Sequence, residues 1–190
     1  MELLLSGLGL FLASHFIPSF PKFRERLIHQ LTPGGYKAIF SLLSLIAIVL
    51  IVNGLKQAPF LSLYEPPNWG RHVTMLLMLL AVYLFLSNSM GPAPSTAKFI
   101  SAHPLNWGVI VWAIAHLLTN GDLAHVLLFC SMGLFAGICI VTGNRRGLQP
   151  NLQQRPAVWK EAVFMLIVAV VYIGLVWGHG YFTGMALIHF

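Results

Sequence analysis

The stretch SAHPLNWGVIVWAIAHLLTNGDLAH, from Ser101 to His125, is the strongest indication of this chain's fold class. Its apolar run over residues 104–118 begins at a proline and stops at an Asn-Gly-Asp turn, after which a second long apolar run follows. Neither run alternates apolar and polar residues as a half-buried β-strand does. The stretch therefore predicts a helical hairpin, in which Gly121 ends the first helix and Asp122 caps the second.

The whole chain has the composition of a membrane protein. Only 8% of its 190 residues are charged and 57% are hydrophobic, and its mean hydropathy of +0.79 is far above that of a soluble domain. A pI near 9.7 would suit a nucleic-acid-binding protein, but the Lys and Arg residues form no basic block with interleaved aromatic residues. We therefore expect a lipid bilayer, and no nucleic acid, as the partner.

Six apolar segments follow one another, and the breaks between them hold Pro, Gly, Asn and nearly all the charge. We predict an all-α fold, a single domain over residues 1–190 with six transmembrane helices. The segments are residues 3–17, 36–55, 72–90, 104–118, 123–142 and 158–177.

The positive charges predict the orientation of this bundle. Lys and Arg collect in cytoplasmic loops, and the first, third and fifth loops hold all of them except Lys56 and Arg71. Both termini should therefore face outward, towards the periplasm if the membrane is a bacterial inner membrane. The predicted cytoplasmic cations are Lys22, Arg24, Arg26, Lys37, Lys98, Arg145, Arg146, Arg155 and Lys160.

The first loop has the pattern of a short amphipathic helix. Phe20, Phe23, Leu27 and Leu31 recur at helical spacing, and the residues between them are mostly basic or polar. Such a pattern is typical of a helix that lies in the membrane interface beneath anionic headgroups.

Histidine is the ionisable residue that this chain uses most freely at membrane depth. No Asp, Glu, Lys or Arg falls within the interior of the six segments, which argues against an ion-coupled transporter. His15 and His103 are predicted to share the cytoplasmic side. The outer side holds a second candidate cluster of His72, His116, His125 and Asp122, with His179 as a weaker member.

The inner pair, His15 and His103, is the preferred candidate site. His103 and His116 cannot share one metal, because thirteen helical residues separate them by about 20 Å. The segments that carry His15 and His103 are only about 22 Å long, against a hydrocarbon core of about 30 Å, so their ends should lie in a protein-lined recess. Such a recess could hold a haem, with the two imidazoles as axial ligands of the iron.

Further residues would complete that haem site. Trp107 lies near the recess, and the propionates would meet basic residues such as Arg24, Arg26 or Lys98. A structural alternative stays open, because an interfacial histidine is often a hydrogen-bonded packing residue, and His103 precedes Pro104 where an N-cap is expected. Asp122 also has two interpretations. It could be a helix cap or a member of the outer cluster.

Four stretches together resemble the NnrU family of bacterial membrane proteins. They are SHFIPSFPKFRERLI (residues 14–28), GGYKAIFSLLSL (34–45), APFLSLYEPPNWGRHVTMLLM (58–78) and AHPLNWGVIVWAIAHLLTNGDLAHVLLF (102–129). The resemblance implies a link to denitrification and nitrogen-oxide metabolism. It also implies similarity to the plant zeta-carotene isomerases, membrane enzymes that use haem b with histidine ligands. Their ligand histidines lie in elements that match His15 and His103.

Two functions are consistent with this resemblance. The chain could be a haem-dependent isomerase or redox protein acting on a lipophilic substrate. It could instead be a non-catalytic accessory or assembly protein that partners nitrogen-oxide reductase components, with structural histidines.

Overall fold

The computed structural model describes residues 1–89, 95–152, 156–184 and 187, and these residues are predominantly helical. Within these described residues, five helices are long and apolar enough to cross a membrane, and Pro104–Leu117 is a shorter apolar helix. The predicted multi-pass helical fold is therefore confirmed. The helices are α1 Glu2–Phe16, α2 Pro21–Gln57, α3 Gly70–Ser89, α4 Thr96–Ile100, α5 Pro104–Leu117, α6 Leu123–Arg145 and α7 Val158–Thr183.

Each predicted apolar segment coincides with one of these helices to within a few residues, except that α2 begins fifteen residues earlier and α7 ends six residues later than predicted. The additional helix, α4, is a single short turn of five residues. Arg155, one of the predicted cytoplasmic cations, lies outside the described residues.

Helix α2 is broken at Thr32, which has φ 61° and ψ 160°. Thr32 precedes Pro33, whose ring disfavours the helical conformation of the residue before it. The hydroxyl of Thr32 accepts a hydrogen bond from the Gly35 N–H at 3.3 Å and so caps the helix that follows. Residues 21–31 therefore form a helical segment of their own, as the amphipathic pattern predicts.

The chain divides into two compact units, the first comprising Met1–Pro66 and Asn120–Phe135. Within it, α1 and α2 run antiparallel, with Gly54 packed against Leu4 and Gly7 against Ile51. A Cβ atom at Gly54 would overlap the Leu4 backbone nitrogen. The absence of a side chain at Gly54 thus allows the two helix backbones to approach closely.

The second unit comprises Pro67–Thr119 and Ala136–Phe190, and α3 packs against both α5 and α7 within it. The Thr74 hydroxyl donates to the Ala115 carbonyl at 2.7 Å, joining α3 to α5. The core between α3 and α7 is built on Val82, Phe164 and Val168, each at most 2% exposed. Helix α3 therefore holds this unit together.

The Asn-Gly-Asp turn lies in the first unit and confirms one of its two predicted roles. Asp122 caps α6, since its Oδ1 accepts from the His125 N–H at 3.3 Å. The role predicted for Gly121 is wrong, because α5 already ends at Leu117. The Gly121 carbonyl instead accepts backbone hydrogen bonds from Leu63 and Tyr64, so the turn is tied to the loop after α2.

Candidate functional site

His15 lies near the C-terminal end of α1, among phenylalanine rings of the first unit. The Phe11 ring stacks on the imidazole with centroids 3.8 Å apart and an interplanar angle of 14°. The Phe40 ring lies 4.9 Å away in a tilted arrangement, and Phe135 meets the imidazole edge-on at 6.3 Å. The half-buried imidazole therefore has flat, apolar surroundings on several sides.

The hydrogen bonds of His15 identify its tautomer. Its Nδ1 lies 2.9 Å from the Phe11 carbonyl oxygen and 3.2 Å from the Ser14 hydroxyl. Because a carbonyl oxygen can only accept, Nδ1 carries the proton and Nε2 carries the free lone pair. A backbone carbonyl commonly orients metal-binding histidines in this way, so His15 can offer Nε2 to a metal.

Tyr36 lies in the same unit, just after the break in α2, and its buried hydroxyl has no hydrogen-bond partner among the described residues. A buried donor left unpaired costs about 1–3 kcal/mol. The Tyr36 ring lies 6.3 Å from Phe40, which in turn contacts His15. The guanidinium carbon of Arg24 lies 5.6 Å from the centre of the Tyr36 ring. His15, Phe40, Tyr36 and Arg24 thus form one connected set, which we call the His15 site.

The residues of the His15 site have the chemistry needed to hold one side of a haem. It combines an imidazole with a free Nε2, flat aromatic neighbours, an orphaned hydroxyl and a cation. Of the two arginines predicted to meet propionates, only Arg24 belongs to this set. Arg26 lines a shallow cavity of about 470 Å³ on the surface of residues 21–31, together with Lys22, Glu25, His29 and Gln30.

His103 lies in the second unit, and its contacts are those of a packing residue. The ring is buried, and its Nε2 lies 2.8 Å from the amide oxygen Oδ1 of Asn144 on α6. A Cβ atom at Gly143 would overlap the imidazole, so the ring is pressed against the α6 backbone. Since Nε2 donates to Asn144, His103 does not offer that nitrogen to a metal in this conformation. His103 as a ligand of the iron therefore stays a prediction.

His103 occupies the N-cap position of α5, as expected from the following proline, but its side chain makes no capping hydrogen bond. Its backbone N–H instead donates to the Ser101 hydroxyl at 3.1 Å. Trp107, the predicted neighbour of the haem, lies one turn further along α5 and is 44% exposed.

The second candidate cluster is divided between the two units. In the first, His125 Nδ1 lies 2.5 Å from Asp122 Oδ2, and Asp122 is only 6% exposed. In the second, His116 Nδ1 lies 2.9 Å from the Trp112 carbonyl oxygen, and His72 is exposed near the start of α3. No three His, Cys, Asp or Glu side chains of the described residues form a group that could hold a metal.

Sequence reasoning did not single out three residues that matter here, Asn144, Tyr36 and Glu161. Glu161 accepts hydrogen bonds from the Tyr83 hydroxyl at 2.6 Å and from the Thr96 N–H at 3.2 Å, which joins α3, α4 and α7. A carboxylate in the first turn of a largely apolar helix is a signal that could have identified Glu161. No local pattern marks Asn144, whose partner His103 is 41 positions away, or Tyr36, whose proximity to Arg24 depends on the break at Thr32.

Comparison with known proteins gives one match. The family described as NnrU protein matches residues 3–187 of the chain. No curated protein matches it, and no solved structure does.

Proposed function

We propose, since the chain belongs to the NnrU family, that this membrane protein binds haem b and that Nε2 of His15 would hold the iron. One observation carries the proposal: the Phe11 carbonyl holds the His15 Nδ1 at 2.9 Å and so leaves Nε2 unprotonated among phenylalanine rings. Neutral imidazole in this tautomer is the form that ligates haem iron.

His15 and the phenylalanine rings around it would have distinct parts in this function. The Phe11 carbonyl orients the imidazole, and the rings of Phe11, Phe40 and Phe135 give it apolar surroundings. Bound haem would supply the iron for isomerising a lipophilic polyene or for nitrogen-oxide chemistry, the two activities that the family resemblance implies. A lipophilic substrate would reach such a site from the bilayer.

A second candidate function is favoured by the surroundings of His103. The bond from its Nε2 to Asn144 supports a structural role, as expected if the protein is a non-catalytic accessory or assembly factor for nitrogen-oxide reduction. The resemblance nevertheless makes His103 the predicted second ligand. A haem with two imidazole ligands is low-spin, whereas one held by His15 alone is high-spin, so the spectrum separates these arrangements.

The test is the visible spectrum of the protein purified in detergent from haem-supplied cells. We expect a Soret band that His15→Ala abolishes. His116→Ala is the matched control, because the His116 Nδ1 also contacts the carbonyl four residues earlier, at 2.9 Å, yet its ring lies beside Trp112 rather than among phenylalanines. His29→Ala, in the first loop, is a second control. A folded wild-type protein without Soret absorbance would rule out the haem function.

A further inference from the structure

We propose, building on the haem function above, that the Tyr36 hydroxyl and the Arg24 guanidinium bind the carboxylate of the ligand that His15 holds. On haem b this group is a propionate. The ligand class is therefore an amphipathic molecule with a flat apolar body and an acidic end, rather than a neutral hydrocarbon.

The buried hydroxyl of Tyr36 needs a hydrogen-bond acceptor. Tyr36 is 8% exposed, and its hydroxyl has no partner among the described residues. The hydrocarbon of a bilayer offers no acceptor, so a buried donor in a membrane protein must be satisfied by protein, water or ligand. A ligand oxygen would satisfy this one.

Arg24 lies close to Tyr36 because α2 is broken between them. On an unbroken helix, residues 24 and 36 would be about 18 Å apart along the axis. The break at Thr32 instead brings the Arg24 guanidinium carbon to 5.6 Å from the Tyr36 ring centre. A phenol donor and a guanidinium in proximity favour an acceptor that carries negative charge.

Phe40 connects Tyr36 to His15, the proposed ligand of the iron. Phe40 contacts both the His15 ring, at 4.9 Å, and the Tyr36 ring, at 6.3 Å. An aromatic surface thus links the imidazole that would hold the metal to the donors that would hold the carboxylate. The protein thus presents an iron ligand, an apolar surface and donors for an anion in that order. A metalloporphyrin with free propionates has the complementary groups in the same order.

The experiment compares haemin with haemin dimethyl ester, in which both carboxylates are blocked, by absorbance titration of the detergent-purified apoprotein. We expect the wild type to bind haemin about tenfold or more tightly than the diester, because the bond to Tyr36 is charge-assisted. Tyr36→Phe should lose that preference while its affinity for the diester stays unchanged. Arg24→Gln should weaken the preference in the same direction.

The control is Tyr172→Phe, because the Tyr172 hydroxyl already donates to the Met75 carbonyl at 2.9 Å. This variant should keep the wild-type preference for haemin. Thermal unfolding without porphyrin adds a readout independent of the ligand. Tyr36→Phe should unfold at the wild-type temperature or above it, since it removes an unpaired donor, whereas Tyr172→Phe should unfold at a lower temperature.

The outcomes separate this inference from the haem function. If the wild type binds haemin and its diester equally well through His15, the carboxylate site is wrong and the haem function stands. A lowered unfolding temperature of Tyr36→Phe would also overturn it, because the hydroxyl would then have a protein partner. If neither porphyrin binds the folded wild type, the haem function itself fails.

Discussion

The imidazole of His103 and the amide of Asn144 are joined at 2.8 Å between Nε2 and Oδ1. This contact ties the N-terminus of α5 to the last turn of α6 within the second unit. It gives His103 a packing role that needs no cofactor.

The contact predicts a coupled loss of stability. His103→Ala and Asn144→Ala should each lower the free energy of unfolding by about 1–3 kcal/mol, because each leaves a polar partner unpaired. In the double variant the losses should be less than additive, with a coupling of about 0.5–3 kcal/mol. Denaturant unfolding in detergent measures all three variants.

The same variants test whether His103 is a ligand of the haem iron. If His103 only packs, the Soret band of the haem-loaded protein should keep its shape in both single variants. A change from low-spin to high-spin in His103→Ala, but not in Asn144→Ala, would show instead that His103 ligates the iron.

Gly143 should tolerate no side chain, because a Cβ there would overlap the His103 imidazole. We expect Gly143→Ala to displace the ring and to lower the free energy of unfolding by about 1–3 kcal/mol. Gly137→Ala on the same helix is the control, since a Cβ at Gly137 meets nothing within 4 Å. Equal stability of the two variants would contradict the observed packing of His103.

Gly54 should be equally restrictive in the first unit. Gly54→Ala would drive a methyl group into the Leu4 backbone, and separating α1 from α2 should cost about 1–3 kcal/mol. Gly9→Ala on α1 meets nothing within 4 Å and should leave the unfolding temperature unchanged or slightly raised. Because α1 carries His15, Gly54→Ala should also weaken the Soret band, and a full band would argue that α1 is held by other contacts.

Asp122 should contribute through its cap and its contact with His125. Removing a helix cap costs about 0.5–2 kcal/mol, and Asp122→Ala also breaks the 2.5 Å contact with the His125 ring. The variant should therefore lower the yield and the unfolding temperature without altering the spectrum of the remaining protein.

In cells, His116→Gln tests the second candidate cluster. Normal abundance, spectrum and activity of this variant would argue against a separate role for the cluster.

The orientation predicted from Lys and Arg can be tested with reporter fusions. A reporter after Arg146 should behave as cytoplasmic, and one after Phe190 as external. The reverse pattern would contradict the assignment of His15 and His103 to the cytoplasmic side.

The apolar helices were accessible from sequence because the forces that set them are local. Apolar runs mark α1, α2, α3, α6 and α7, and proline or glycine marks the breaks. The Asp122 cap was equally predictable, since its hydrogen bond to the His125 N–H crosses only three residues. His15 could likewise be selected, because a histidine is rare within an apolar segment and its orienting carbonyl belongs to the preceding helical turn.

The partners of these residues depended on tertiary packing. Asn144 lies 41 positions from His103, and apolar periodicity carries no information about which faces of two helices meet. Arg24 lies over the Tyr36 ring only because α2 is broken at Thr32. On a continuous helix the two residues would lie far apart along the axis. The error at Gly121 has the same origin: its carbonyl is bound by a loop more than fifty residues earlier in the chain. Contacts between distant segments arise from packing geometry, and only the folded chain specifies that geometry.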